Sequence, residues 1–414
     1  MKISNKNLPK IRFPGFIENW EENNVGELVE IIKSYSYSRN EESEYGTVSH
    51  IHYGDIHSKF NNIIDNNSKL PFLKLIEIKD LVLLEKGDII LADASEDYNG
   101  LGTTIVNLSD RKNIIGGLHT FVLRPDKEKL YSLYFLNYSK TLIYKKYMQK
   151  IGTGASVFGI SKANLEKLAL LKPSLKEQQK IGDFFMLLDK RIEQQEQKIA
   201  LLKDYKKAMM QKIFSQKIRF KDENGNDYPD WEEKKLGEIV YRNSKKNKDQ
   251  KYTLIQSISN KYGFVNQEDY FEDRRVGSLD VSNYYVINNG CFAYNPSRID
   301  VGSLAYKNDN DISIISPLYV SFKGNAKHIN DKFLLGWLFS HKFVGKLGRL
   351  FEGSVRNTLS YENLSTIDIE TPCIAEQEKI ALFLEVINDS IENQKELLDE
   401  IIKEKTALLN KMFI

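Results

Sequence analysis

This sequence predicts an α+β fold in which two pseudo-repeated bodies are separated by two long antiparallel coiled-coil helices, on three observations. A block near the start recurs: KIRFPGFIENWEENNVGELVEI from Lys10 returns as KIRFKDENGNDYPDWEEKKLGEIV from Lys217, aligning Trp20 with Trp231, Gly26 with Gly237 and Glu27 with Glu238. A longer block, PSLKEQQKIGDFFMLLDKRIEQQEQKIALLKDYKKAMMQKIF from Pro173, returns without a gap from Pro372 at a constant offset of 199. Between the blocks, residues 40–150 and 247–350 are short Val/Ile/Tyr/Phe-rich runs punctuated by Gly, Asn and Asp. That pattern predicts strands, with an occasional helix such as Tyr131 to Gln149.

The predicted order is a first body over residues 1–175, a spacer helix over 176–215, a second body over 216–373 and a second spacer helix over 374–414. The bodies diverge almost completely. Only fragments align: Tyr45 with Tyr252, the Gly87 and Gly290 turns, Ser156-Val157 with Ser354-Val355, and Asn164-Leu165 with Asn363-Leu364.

A length of 414 residues suits two to four domains. With 41% hydrophobic and 28% charged residues and a net charge of +2, neither an acidic disordered chain nor a supercharged nucleic-acid scavenger is expected. Near-neutrality leaves a nucleic-acid partner open, because the clustering of Lys and Arg decides that. The longest apolar run, Phe333 to Phe339, is far short of the roughly 20 residues of a membrane helix, and the start MKISNKNLPK lacks an apolar leader segment. Two cysteines, Cys291 and Cys373, are too few for a disulfide framework. The expectation is a chain of the reducing cytoplasm with no membrane association.

Pro173 and Pro372 suit the approach to a helix, and Glu177 and Glu376 fall in its acidic first turn. Steps of four and three from Ile181 give Phe185, Leu188, Ile192, Gln195, Ile199 and Leu202; the same steps from Ile380 give Leu384, Ile387, Ile391, Gln394, Leu398 and Ile401. Both form a sustained heptad seam, with the glutamines at one matched polar position that can fix register. Residues 176–214 carry nine basic and six acidic side chains, whereas 375–414 carry five and nine. Opposite net charge, +3 against −4, favours pairing of the two helices with each other. Each helix leads from its own body toward the shared frame of the other, so the pair is expected to run antiparallel and to space the bodies by about 50 Å at ~1.5 Å per residue.

The P-x-x-x-E-Q-x-K-I helix start, matched at Pro173, Glu177, Gln178, Lys180 and Ile181 and again at Pro372, Glu376, Gln377, Lys379 and Ile380, opens a helix ending in QKIF or NKMF. Recurring at mid-chain and at the C-terminus beside two dissimilar bodies, it resembles the specificity subunit of type I restriction-modification systems over the whole chain. The resemblance implies that each body is a target recognition domain reading one half of an asymmetric bipartite double-stranded DNA sequence. It also implies that the helices set the gap and dock methyltransferase subunits, two of them, and that restriction subunits join through the complex. No cofactor is expected in this chain; S-adenosylmethionine, ATP and Mg belong to the partner subunits.

The sequence offers few catalytic tools. No G-x-x-x-x-G-K-[ST] loop is present. Asn295-Pro296-Ser297-Arg298 departs from an adenine methyltransferase's Asn-Pro-Pro-Tyr at its last two positions, and Pro229-Asp230 with Glu232 and Lys234 is too compact for a nuclease core. A non-catalytic reader is therefore expected, against two alternatives: a self-sufficient DNA methyltransferase or nuclease with duplicated DNA-binding domains, and a coiled-coil spacer joining protein-binding domains.

Strand alternation places His50 and His52 on one face. A shared metal site is excluded because Ser257 and Ser259 align with them, leaving a metal site private to the first copy, a DNA-facing surface or ordinary packing. Thr153 and Ser156, and in the second copy Ser354, Arg356 and Asn357, lie in short polar Gly-containing loops; Arg and Asn can make bidentate contacts with guanine and adenine. Asn295 and Arg298 match the family's Tyr-Asn-Pro-x-Arg segment, which implies proximity to DNA, with structural pairing of Arg298 as the other reading. Arg274 and Arg275 form a basic pair suited to phosphate.

Overall fold

The computed structural model describes residues 8–74, 80–267, 280–348, 350–351 and 358–414. Its principal elements run, in chain order, β1 (Glu21–Asn24), β2 (Val29–Ile32), β3 (Val48–Ile51), α1 (Tyr53–Ser58), β4 (Ile89–Ala92), β5 (Thr104–Asn107), β6 (Thr120–Pro125), α2 (Ser132–Tyr138), β7 (Ala169–Lys172) and α3 (Leu175–Phe214). There follow β8 (Glu232–Lys235), β9 (Val240–Arg242), β10 (Cys291–Tyr294), β11 (Leu304–Tyr306), β12 (Val320–Gly324), α4 (Asp331–Leu338), β13 (Asp368–Thr371) and α5 (Ile374–Met412). The chain forms two compact units, residues 1–196 with 396–414, and residues 197–395. Both long helices are divided between them, so each unit holds a segment of α3 and a segment of α5.

In the first unit the sheet runs β2-β6-β4-β5, closed on its outer edge by Ile63–Ile64 parallel to β5. In the second it runs β9-β12-β10-β11, with every neighbour antiparallel. The central strands β4 and β10 are buried throughout, because both sheet faces are covered. Ile89 and Leu91 enter the main core while Ile90 and Ala92 enter a second one, and Phe292 and Tyr294 are likewise divided from Cys291 and Ala293. A strand serving two cores reads as an unbroken apolar run.

The repeated blocks meet each other in both units. β1 pairs antiparallel with β7, Glu21 opposite Lys172, and β8 pairs with β13, Glu232 opposite Thr371. Gly26 and Gly237 recur because a Cβ there would stand 3.0 Å from the Cβ of Glu166 or Ser365, tighter than neighbouring side chains tolerate. Arg12 of the first block donates through Nε and Nη2 to Glu177 of the second at 2.7 Å each, and Arg219 donates to Glu376 at 3.3 and 2.8 Å. Both glutamates are fully buried, so a bidentate guanidinium is what makes a carboxylate tolerable there.

The neighbouring glutamine holds the helix start. Gln178 donates to the carbonyls of Pro173 and Lys129 and accepts from the Tyr131 amide; Gln377 donates to Pro372 and His328 and accepts from Asn330. Each E-Q pair thus ties its long helix to the first block on one side and to the turn before α2 or α4 on the other.

The helix segments are antiparallel within each unit. In the first, the Phe185 and Phe413 rings lie 6.2 Å apart and Lys405 pairs with Asp189, so numbers fall along α5 as they rise along α3. In the second, a Cβ on Gly336 would touch both Phe214 and Leu384, and Glu392 acts on Lys206. Ile181, Phe185 and Ile199 are buried in α3, as are Ile380, Leu384, Ile387, Ile391 and Ile401 in α5; Leu188, Ile192, Gln195, Leu202, Gln394 and Leu398 are half-buried. None of the seam faces open solvent.

The helix ends exchange roles. Phe413 packs 5.1 Å from Tyr134 in the first core, whereas Phe214, its equivalent 199 residues earlier, packs 5.6 Å from Phe333 in the second. The Ile11 amide donates to the Lys411 carbonyl at 3.0 Å, and Ile218 donates to Lys212 at 3.3 Å. The same junction is therefore made across the chain's two ends in one unit and by continuous chain in the other.

Candidate nucleic-acid interface

Register identifies one matched place in the two units. Leu123 pairs with Ile89, and Phe322, 199 residues on, pairs with Phe292. The end of β4 and the start of β6 therefore correspond to the end of β10 and the start of β12. A further bond repeats there: Ile160 donates its amide to the Asp93 carbonyl at 2.9 Å, and Leu359 donates to the Pro296 carbonyl at 3.0 Å. Each unit so gathers, at a strand mouth, the segment leaving one central strand, the segment entering its neighbour, and the approach to residue 160 or 359.

In the first unit Thr153 and Gly159 exchange backbone hydrogen bonds at 3.0 and 2.9 Å, closing a hairpin with Thr153 and Ser156 exposed. Gly154 has φ +145°, and a Cβ there would fall 1.9 Å from the Val157 carbonyl oxygen, so this turn requires glycine. Phe158 pairs with Ser95 and stacks on Tyr98 at 3.8 Å, which brings the hairpin onto the loop after β4.

In the second unit Asn295 accepts from the Ser297 amide through its side-chain oxygen at 3.0 Å and donates its own amide to Ser303. The Arg298 amide returns to the Asn295 carbonyl at 3.0 Å, so Asn-Pro-Ser-Arg is a tight turn. Arg298 is exposed, and its guanidinium has no partner among the described residues. The sequence-predicted Arg274, Arg275, Ser354, Arg356 and Asn357 lie outside the described residues.

His50 and His52 are corrected by their surroundings. β3 is a central strand flanked by Ile114–Gly116 and Phe72–Leu73, and all four of its residues are buried, so alternation gives it no solvent face. His50 is fully buried with Nε2 3.2 Å from Glu42, and burial lowers its pKa despite that carboxylate. His52 has left the strand: its Nδ1 accepts from the Gly54 amide at 3.1 Å and caps α1, and its pKa is lowered by burial and by Arg39. Both are buried rather than on an open strand face.

The exposed imidazoles of the first unit are His57 and His119, which sequence reasoning missed. Both lie edge-on to the Tyr53 ring, at 6.2 and 5.5 Å. His119 stands at the mouth, with Nδ1 3.2 Å from Asp93, whose pKa is raised by burial against the opposing pull of that imidazole. Its φ of +55° is unusual for a side chain other than glycine, a strain that functional sites often hold. No sequence signal marked it; the strand register sets His119 against Leu318.

No group of three or more His, Cys, Asp or Glu side chains suited to a metal occurs among the described residues. Nor is any helix there long and apolar enough to cross a membrane.

Residues 17–204 and 228–403 each match the family described as "Type I restriction modification DNA specificity domain". The type I restriction enzyme MjaVIII specificity subunit of Methanocaldococcus jannaschii is 24% identical over 98% of this chain and 94% of its own length. A second relative from that organism, MjaX, matches at 24% over 98% of this chain and 95% of its own. Among solved structures, the type I restriction-modification S subunit from M. genitalium superposes with a TM-score of 0.58 at 14% identity, covering 98% of this chain and 99% of that one. A chain from a study of complex assembly and conformational transition in the type I system gives 0.56 at 15%, covering 97% and 99%.

Proposed function

The chain belongs to the type I restriction-modification DNA specificity family, and from that premise we propose that each of its two units reads one half of an asymmetric bipartite duplex target. The observation that carries this reading is the contrast inside each unit. The Arg–Glu clasp, the strand pair and the helix start are repeated, whereas the strand mouth holds different side chains in each copy, Asp93 and His119 in one and Asn295, Arg298 and Leu318 in the other. Identical scaffolds with unlike mouths are what recognition of two unlike half-sites requires.

The helix pair sets the gap between the half-sites and docks two methyltransferase subunits. Leu187 and Val386, exposed and 199 residues apart, supply equivalent apolar footholds for them. Restriction subunits join through that complex. The chain itself turns over nothing; S-adenosylmethionine, ATP and Mg are held by the partners, in the cytoplasm. Base contacts by the mouths would specify the sequence while lysines and arginines position the duplex on its phosphates.

The test is to purify the full chain with and without methyltransferase partners and measure sequence selection, methyl transfer and cleavage. Selection of a split, non-palindromic site by the complex, with no turnover by the chain alone, is expected. Turnover by the chain alone, or no sequence selection in either form, overturns the reading.

A further inference from the structure

Position 119 of the first unit and position 318 of the second occupy the same place. Thr120 pairs with Ala92 and Val320 pairs with Tyr294, so His119 lies across from Asp93 and Leu318 lies across from the Asn295-Pro296 turn. The two residues could hardly differ more. His119 is half-exposed, fixed through Nδ1 by Asp93 and by the Tyr53 ring, which leaves Nε2 as the nitrogen available to a ligand. Leu318 is 82% exposed, which leaves its side chain open to a ligand, and a proline precedes it. Its turn is ordered by the Leu318 amide donating to the Ser316 hydroxyl at 3.3 Å. Across the strand pair stands the exposed Arg298 turn, and on the far side of β10 lies β11, against which the hairpin carrying the exposed Tyr262 packs.

Resting on the reading of the two units as half-site readers, we propose that residues 119 and 318 are specificity-determining contacts of the two half-sites. Leu318 covers the 5-methyl group of a thymine in the major groove, the one apolar group a base edge offers there. His119 hydrogen-bonds a base edge through Nε2 while Asp93 holds the ring's orientation. Asp93 acts as a positioning residue. The divergence of this matched position then contributes to the asymmetry of the target.

The experiment uses the full chain in complex with its methyltransferase subunits, wild type and with Leu318→Ala, His119→Ala and Asp93→Asn, selecting sites from a random duplex library. Thermal melting of each variant checks that the fold is kept, as expected for the exposed His119 and Leu318 and for the near-isosteric exchange at the largely buried Asp93. Leu318→Ala is expected to relax preference at one thymine of one half-site, with about fourfold loss of affinity, the worth of one buried methyl. Replacing that thymine by uracil should cost the wild type the same factor and Leu318→Ala nothing. His119→Ala should relax one position of the other half-site by about fivefold, the size of one hydrogen bond, with Asp93→Asn weaker at the same position. Unchanged site preferences or a uniform loss on all sequences would overturn the proposal while leaving the half-site reading intact; changes in both half-sites from one substitution would overturn the proposal and count against that reading. A wild-type complex that selects no split site would instead overturn both.

Discussion

The two units solve one structural problem with nearly the same atoms and differ where no structural problem constrains them. In the second unit the buried Glu376 receives both Arg219 and the indole of Trp231, whose Nε1 donates at 3.2 Å. In the first, Glu177 is held by Arg12 alone, at shorter distances, and Trp20 buries its Nε1 without a partner. The clasp is thus kept, although its hydrogen-bond inventory has drifted. At the mouths, His119 and Leu318 share nothing but their place. The comparison teaches that the repeated residues answer to the scaffold and the divergent ones to whatever each unit meets.

The largest expected effect lies at the clasps. Arg12→Ala leaves Glu177 fully buried with no counter-charge, and should destabilise the first unit by about 3–5 kcal/mol. Arg219→Ala should cost less, because Trp231 still donates to Glu376. Urea unfolding, with Trp20 fluorescence isolated in a variant lacking the other two tryptophans and Trp231 in its counterpart, measures each unit separately. Equal losses would break the comparison.

A smaller difference is expected for the indoles. Trp231→Phe removes a donor from a buried carboxylate and should cost about 1–3 kcal/mol, whereas Trp20→Phe removes an N–H that bonds to nothing and should cost less than the same exchange at Trp231. Hydrogen exchange in β1 and β8 reads the two effects in parallel.

The smallest concerns a group found in the first unit alone. Lys140 and Lys405 both pair with Asp189, and burial pushes the Lys140 pKa down to about 8, against the partial restoring pull of Asp189. A lysine whose folded pKa lies below its unfolded value binds fewer protons folded than unfolded between the two. Stability should therefore rise with pH from about 8 to 10, by up to about 1.4 kcal/mol per unit before solvent screening reduces it. Lys140→Met should flatten that slope relative to wild type. Phe339 stands at the equivalent position of the second unit, where the lysine whose pKa burial lowers is Lys206. An identical slope in the variant would remove Lys140 as its cause.

Much of the scaffold was legible because it was written twice. The seam of α3 and α5 and their antiparallel course follow from periodicity and connectivity, whereas the pairing of the two repeated blocks with each other is seen only in the fold. The clasps themselves were less visible: Arg12 and Glu177 stand 165 residues apart, and nothing in either block announces that they touch. His50 and His52 misled because alternation presumes one open face, and β3 has none. Asp189 with Lys405, 216 residues apart, could not be read at all, since each looks like a solvated helix charge until the chain folds. The mouth was half-legible. Thr153 and Ser156 were marked by loop chemistry and Asn295 and Arg298 by the family resemblance, while His119 and Leu318 needed the strand register to be seen as equivalents.

The central claim is that each unit reads its own half-site through residues that its scaffold does not constrain. The most direct measurement exchanges residues 247–350 for the corresponding stretch of another family member and determines, with methyltransferase subunits bound, the sites methylated in a random duplex library. One half-site should change while the other half-site and the gap stay as they were. A change in both half-sites, or an altered gap with both half-sites kept, would contradict the account.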